Sequence, residues 1–348
     1  MHQTANTANT PSEVSPSRIL HQKITSALLT QAIHAAVQLN LADLVKDGLL
    51  SLHELSEATN IPPHPLARLL RALVAADIFT EPEPGKYAQS ELSYFLRSDV
   101  PNSLRGLAMM YGDEWQWRPW EAFLYSLKTE KPAFDHLYGM SVWQYFRDHN
   151  PRSGHFFNEA LTSVSNQVNL PIASAYDFSS CETVIDVGGG EGSLLRTILR
   201  KYPTIKGILF EQPAVIERAR ELFVQEGFVE RCTLVPGDFF ASVPEGADAY
   251  LIKHVIRGRC DEEAIAILRN CRRAMKPQSR LFVIEPVLTP QGMLIEKLVD
   301  LQLMLISTGS ERTEEEYRKL FDAAGFTLTS VIPTTGPISL IEGRPNQS

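Results

Sequence analysis

Between Val184 and Leu195 the chain reads VIDVGGGEGSLL, an apolar run closed by an acid and then by glycines that lead into a helical pattern. Gly188, Gly190 and Gly192 would let the backbone turn sharply and approach a ligand at the carboxyl edge of a first strand. On its own this run is also compatible with a tight strand-to-helix turn that binds nothing. Two further stretches sharpen it. Glu211 closes a second apolar run 21 positions after Gly190, where a carboxylate can accept both hydroxyls of a ribose. GDFF places Asp238 and Phe239 after a third run, suited to an adenine amino group and ring face. Asp186, immediately before the glycines, sets the loop apart from a dinucleotide fingerprint. A carboxylate there would repel a pyrophosphate and attract a cationic amino or sulfonium group, so the expected ligand is an adenosyl cation.

Strands and helices must alternate to hold these residues. From Tyr176 onward the sequence supplies TVIDVGG, SLLRTILRKY, GILFEQ, AVIERARELFVQEG, CTLVPGD, AYLIKHV, EEAIAILRNCRRAM and RLFVIEPV. Continuous apolar strands between helices predict a parallel sheet covered on both faces, a doubly wound α/β domain over 176–345. Residues 17–100 read as short helices, with Leu66, Leu69, Leu70, Leu73 and Val74 at helical spacing, and a Pro/Gly hairpin in IFTEPEPGKYAQS. Three helices and a wing describe this segment. The first helix is apolar on every side, through Ile24, Leu28, Leu29, Ile33, Ala36 and Val37, and a second copy of the chain is the simplest cover. Residues 101–175 are helical and dense in aromatics, a candidate substrate cap.

The bulk composition is that of a globular chain: 348 residues, 44% hydrophobic and 21% charged, with a formal net charge of −8. That charge, and Glu81 and Glu83 in the wing, argue against nucleic acid as a partner. Cys181, Cys232, Cys260 and Cys271 lack metal-ligand or disulfide spacing, so no metal is expected. Residues 1–16 read as a disordered tail rather than a secretory signal, and no apolar run is long enough to span a bilayer. The expected compartment is the cytoplasm, with no membrane partner.

Six blocks in order, VIDVGGGEG, FEQPAVIERA, VPGDFF, LIKHV, ILRNCRRAM and ERTEEEYRKLFDAAGF, resemble the S-adenosylmethionine-dependent O-methyltransferase family of small-molecule natural-product biosynthesis. The resemblance covers almost the whole chain. It implies a Rossmann-like catalytic domain with an N-terminal all-α winged-helix dimerisation domain, and a homodimer whose partner helices help to close the substrate pocket. It further implies S-adenosyl-L-methionine as cofactor, with contacts from Gly188, Glu211, Asp238, Phe239 and Lys253; Asp186, Gly190 and Gly192 join them from the loop itself.

The resemblance breaks at one place. After LIKHV the family pattern has a His that deprotonates the substrate hydroxyl, then Asp and Trp; here Arg257, Gly258 and Arg259 follow. Arginine stays protonated, so Arg257 cannot be a general base. It can hold an anion or a polarised oxygen through paired hydrogen bonds, or it can be spent on an ion pair with Asp261, Glu262 or Glu285. Glu285 and Glu311 stand where the family places acids that orient its His; they can pair with Arg257, or one can act as a base if burial raises its pKa. His254 reads as structural. Three mechanisms follow: methyl transfer by proximity to a nucleophile that needs no base, a non-methylating pericyclase or hydroxylase type of reaction with Arg257 stabilising an oxyanion, and a small-molecule sensor. Candidate substrate contacts are Trp115, His136, Phe157 and Met304, which suit a flat, largely apolar acceptor, and each of them also fits an ordinary core.

Overall fold

The structure is a computed structural model that describes residues 15–346. Of the expected tail, residues 1–14 lie outside the described residues, and helix α1 begins at Pro16. The chain forms two compact units that divide between Asp113 and Glu114.

The first unit contains α1 (Pro16–Gln38), α2 (Leu41–Leu44), β1 (Leu50–Ser51), α3 (Leu52–Thr59), α4 (Pro63–Ala75), β2 (Phe79–Glu83), β3 (Lys86–Gln89), α5 (Glu91–Tyr94) and α6 (Arg105–Gly112). Ser51 and Glu54 close a reciprocal capping box that starts α3. Leu66, Leu70 and Leu73, one stripe of α4, are buried as their spacing requires. The wing is a three-stranded sheet in the order β1-β3-β2. Helix α6 belongs to this unit rather than to the cap, which moves the division beyond the expected residue 100. The cause is contact with α1: Gln31 donates to the Gly112 carbonyl at 3.2 Å, and His34 Nδ1 lies 3.1 Å from the Ala108 carbonyl. At its other end α1 leaves Ile24 and Leu28 about seven-tenths exposed.

The second unit opens with α7 (Glu114–Glu121), α8 (Phe123–Thr129), α9 (Ala133–Tyr138), α10 (Val142–Gln144), a π-helical turn at Tyr145–His149, and the long α11 (Pro151–Ala175). Then come β4 (Thr183–Val187), α12 (Ser193–Lys201), β5 (Lys206–Glu211), α13 (Pro213–Gln225), β6 (Cys232–Pro236), β7 (Ala249–Lys253), α14 (Asp261–Ala274), β8 (Arg280–Glu285), α15 (Leu294–Ile306), α16 (Glu314–Ala324), β9 (Phe326–Pro333) and β10 (Ser339–Pro345). The seven strands run in the order β6-β5-β4-β7-β8-β10-β9. The five from β6 to β8 are parallel, and β10 joins β8 and β9 antiparallel, an addition to the expected sheet. One buried cluster on each face of the sheet, around Leu195 and Phe223 and around Tyr250 and Phe321, explains why the strands read as unbroken apolar runs. Strand order reverses between β4 and β7, so their carboxyl ends open a crevice where such sheets bind ligands.

In the first unit, Gly112 packs so closely on His34 that an added methyl would overlap the imidazole ring. Gly112→Ala is expected to lower stability by about 1–3 kcal/mol, as overpacking does. A urea midpoint equal to that of the wild type would contradict this.

Candidate active site

The glycine turn follows β4 directly, and three of its four glycines do different work. Gly188 has φ +68°, and a Cβ there would meet Val255 at 2.9 Å and the Phe239 ring at 3.3 Å. Gly190, at φ +58°, has nothing within 4 Å on its side-chain side, so it faces open space. Gly192, at φ +75°, caps α12, and a Cβ would run into the Phe223 ring at 2.6 Å. Its lack of a side chain makes room for the helix packing. Gly190 N–H donates to Glu211 Oε2 at 3.1 Å, and Gln212 N–H donates to Oε1 at 2.7 Å, so the acid is fixed at the lip of the turn. Asp238 Oδ1 accepts from Phe240 N–H at 2.9 Å, and the Asn270 amide holds the Phe239 and Phe240 carbonyls at 2.7 and 2.8 Å.

Asp186 is placed otherwise than expected. Its carboxylate lies beneath Gly189, both oxygens sealed from solvent and without a hydrogen-bond partner. As placed, the carboxylate turns no oxygen toward open space. Burial pushes its pKa up to about 6, against the opposing pull of Lys253. Burial also lowers Lys253 to about 8, against the pull of Asp186. The Lys253 ammonium donates to Ser165 and, at 2.6 Å, to Asn169 Oδ1, one turn apart on α11; Asn169 in turn donates to Ser193 at 3.1 Å. Lys253 thus ties α11 to the sheet.

At the end of β7 the chain turns through His254, held at φ +57°, an uncommon conformation for a residue with a side chain. Arg257 sits in the short turn that follows. Its backbone N–H donates to Glu285 Oε1 at 3.1 Å, while Tyr317 donates its hydroxyl proton to Oε2 at 2.6 Å. The guanidinium pairs with Glu311, whose side chain is fully buried, whereas Arg257 keeps 16% of its own exposed. Its Nη1 donates to His254 Nδ1 at 3.4 Å; a guanidinium has no acceptor, so the imidazole must be neutral with its proton on Nε2. Burial, and then the Arg257 charge, hold the His254 pKa well below the ordinary value. Burial raises Glu285, and it raises Glu311 to about 7 against the pull of Arg257, with Glu285, Asp300 and Glu296 adding to the rise.

The pairing with Asp261 does not form. Arg312 takes that carboxylate at 2.8 Å and also holds the Ile256 and Arg259 carbonyls, at 3.1 and 2.8 Å. Arg257 therefore presents the exposed edge of the cluster, with Glu311 sealed behind it.

The substrate candidates separate. Trp115 and Phe157 share one aromatic cluster with Phe146 and Trp143, with ring centroids 4.8 to 6.0 Å apart along the chain Phe146–Trp115–Phe157–Trp143. Trp115 is fully buried in it and acts as core. His136 lies on the surface, stacked 4.1 Å from Tyr125 and outside the cluster, because α9 turns that face outward. Met304 is half-buried on α15, where neighbouring Gln302 donates to Gln116 at 2.8 Å. Sequence reasoning missed Ser165 and Asn169, whose i, i+4 spacing was a signal, and Asp300 and Tyr317, which carry none.

A glycine turn with one open face, a ribose-height acid and a half-exposed aromatic ring on one parallel sheet define a Rossmann-like transferase that holds an adenosyl group. The O-methyltransferase domain family matches residues 120–327, and the O-methyltransferase dimerisation domain family matches residues 22–99. A phenazine O-methyltransferase of Lysobacter antibioticus is 40% identical over 331 residues, 94% of this chain and 96% of that one. A mitomycin biosynthesis 6-O-methyltransferase of Streptomyces lavendulae is 36% identical over 346 residues, 99% of each. The crystal structure of human N-acetylserotonin methyltransferase with bound S-adenosylmethionine superposes with a TM-score of 0.87 at 25% identity, covering 97% of this chain and 100% of that one. The chain belongs to the O-methyltransferase family and is an S-adenosylmethionine-dependent methyltransferase carrying the family's dimerisation domain.

Glu311 yields a pH prediction. Its carboxyl ordinarily titrates near 4.5 and here near 7, so the folded chain holds the proton more tightly than the unfolded chain. Its contribution to stability is complete below pH 4.5 and is lost as pH rises through 7. Glu311→Gln should flatten that part of the stability profile in urea titrations; an unchanged decline would show that another group causes it.

Proposed function

We propose that this enzyme methylates an oxygen or nitrogen of a small, flat aromatic secondary metabolite, and that it does so without a protein base. The observation that carries the reading is Arg257, clamped between Glu311 and His254 with one edge exposed where the family pattern has its proton acceptor. A guanidinium so placed cannot accept a proton, but it can hold the acceptor's nucleophile, or an oxygen beside it, by charge-assisted hydrogen bonds.

The cofactor supplies an electrophilic methyl on a sulfonium. Glu211 would receive the ribose hydroxyls, Gly188 and Gly190 the close approach of the chain, Asp238 and Phe239 the adenine, and the buried Asp186 a field favourable to positive charge. The open side of Gly190 and the unpartnered Asp186 carboxylate fit such a cationic nucleoside. Lys253, bonded to Ser165 and Asn169, holds α11 over this site. Phe157, Met304 and the rim of the Trp115 cluster would bound the acceptor pocket. What remains for Arg257 is alignment, which can account for a large share of a methyl transfer rate.

Glu285 serves as the anchor for the Arg257 backbone. Glu311, sealed behind the guanidinium, acts through it. The relatives reported above are named for methyl transfer on phenazine and in mitomycin biosynthesis, which favours this reading over a non-methylating reaction. The apolar end of α1 supports a homodimer built through the N-terminal unit, and the compartment we infer is the cytoplasm.

With a series of hydroxyphenazines as acceptors, kcat/KM should rise with pH through the pKa of each acceptor, so the profile moves with the acceptor. A profile fixed by one enzyme group across the series would contradict base-free transfer. Glu211→Ala should weaken S-adenosylhomocysteine binding roughly ten- to a hundredfold, the worth of one hydrogen bond to a charged group. Unchanged affinity in calorimetry would place the cofactor elsewhere.

A further inference from the structure

Three aromatic rings converge on one guanidinium that the reaction above does not use. The Arg259 guanidinium carbon lies 5.4 Å from the centroid of Phe240, 6.0 Å from Phe239 and 6.0 Å from Trp143. No carboxylate pairs with it among the described residues. A cation left without a counter-ion and surrounded by π-faces is held by those faces.

The three rings come from two places far apart in the chain. Phe239 and Phe240 follow β6, on backbone pinned by Asn270, and the Phe239 ring covers Gly188 of the cofactor turn. Trp143 lies on α10 of the cap and packs on Phe157 of the acceptor-side cluster at 5.6 Å. The backbone of Arg259 is also fixed, its N–H donating to the Ile256 carbonyl at 3.1 Å and its own carbonyl accepting from Arg312 at 2.8 Å. The Arg259 side chain, Trp143 at 42% exposed and the Phe240 ring at 39% exposed are left to adjust.

We infer that Arg259 is a cofactor-binding residue: its planar cation, held over Phe239 and Phe240 and capped by Trp143, closes the adenine end of the site and couples cofactor binding to the seating of α10. The inference rests on the reading that Asp238 and Phe239 receive the adenine. An adenine ring beside Phe239 adds one more π-face to the set around the guanidinium, so bound cofactor and seated cap strengthen each other. A lysine would keep the charge but not the plane, and would stack poorly.

The test is calorimetry of S-adenosylhomocysteine binding to the full-length chain, with the melting temperature of each ligand-free variant as a check on folding. Arg259→Ala should weaken binding roughly three- to thirtyfold while leaving the ligand-free melting temperature near that of the wild type. Arg259→Lys should recover only part of the loss. Trp143→Ala should weaken binding as well, and the double variant should lose less than the sum of the two, as residues in contact do. If Arg259→Ala does not fold, Trp143→Ala alone decides: unchanged affinity overturns the inference. Wild-type affinity in Arg259→Ala, beside a weakened Glu211→Ala, overturns it while sparing the cofactor site. Wild-type affinity in both Glu211→Ala and Asp238→Ala instead removes the cofactor-site reading on which it rests.

Discussion

A guanidinium and a carboxylate withdrawn from water must find each other, and around Arg257 and Glu311 that requirement organises several segments. The carboxylate is sealed and the guanidinium mostly so. Losing either partner would leave a buried charge uncompensated, a cost of about 3–5 kcal/mol in comparable cases. The turn after β7 is consequently locked from all sides. Glu285 holds the Arg257 backbone, Arg312 holds the Ile256 and Arg259 carbonyls, and Gly309 lies so close to the Arg257 carbonyl and to Gly258 that no side chain would fit there. His254 adopts a left-handed backbone at the head of the same turn. Residues held in such conformations tend to mark sites where the surroundings fix a functional geometry.

The cofactor side is held by different forces. The Asp186 carboxylate oxygens have no hydrogen-bond partner and the Lys253 ammonium has two, yet each shifts the other's charge, and burial pushes both toward neutrality. The pair sits under the glycine turn, so the charge of an incoming sulfonium would be felt by an acid that it never touches. In the function proposed above, the arrangement would separate two tasks: the turn's backbone would take the shape of the ligand, and the sealed acid would set the sign of charge that the site prefers.

Much of this was legible in the sequence. The alternation of apolar strands with helices is a direct consequence of a sheet covered on both faces, and the two buried clusters confirm it. Glu211 and Arg257 could be located because each follows a strand whose end is fixed by pattern. The glycines were less transparent: letters alone do not distinguish Gly190, which faces open space, from Gly192, which makes room for Phe223. Asp186 illustrates the same limit, since a strand residue before a turn can point up into a ligand or down beneath the turn. The compact first unit reaches past residue 100 because α6, which carries the same Met and aromatic texture as the cap, packs on α1. Tyr317 works through a contact with Glu285, distant in the chain, and His254 through a left-handed backbone, and no apolar spacing announces either.

The central claim is that Arg257 aligns an acceptor that needs no proton removed by the protein. The solvent isotope effect on kcat/KM for a hydroxylated acceptor, measured on the pH-independent plateau of its own profile, tests it most directly. Base-free transfer predicts a value close to unity, because no proton moves in the transition state. A clearly normal effect, abolished in Glu311→Gln, would instead make the buried acid the general base and contradict the account.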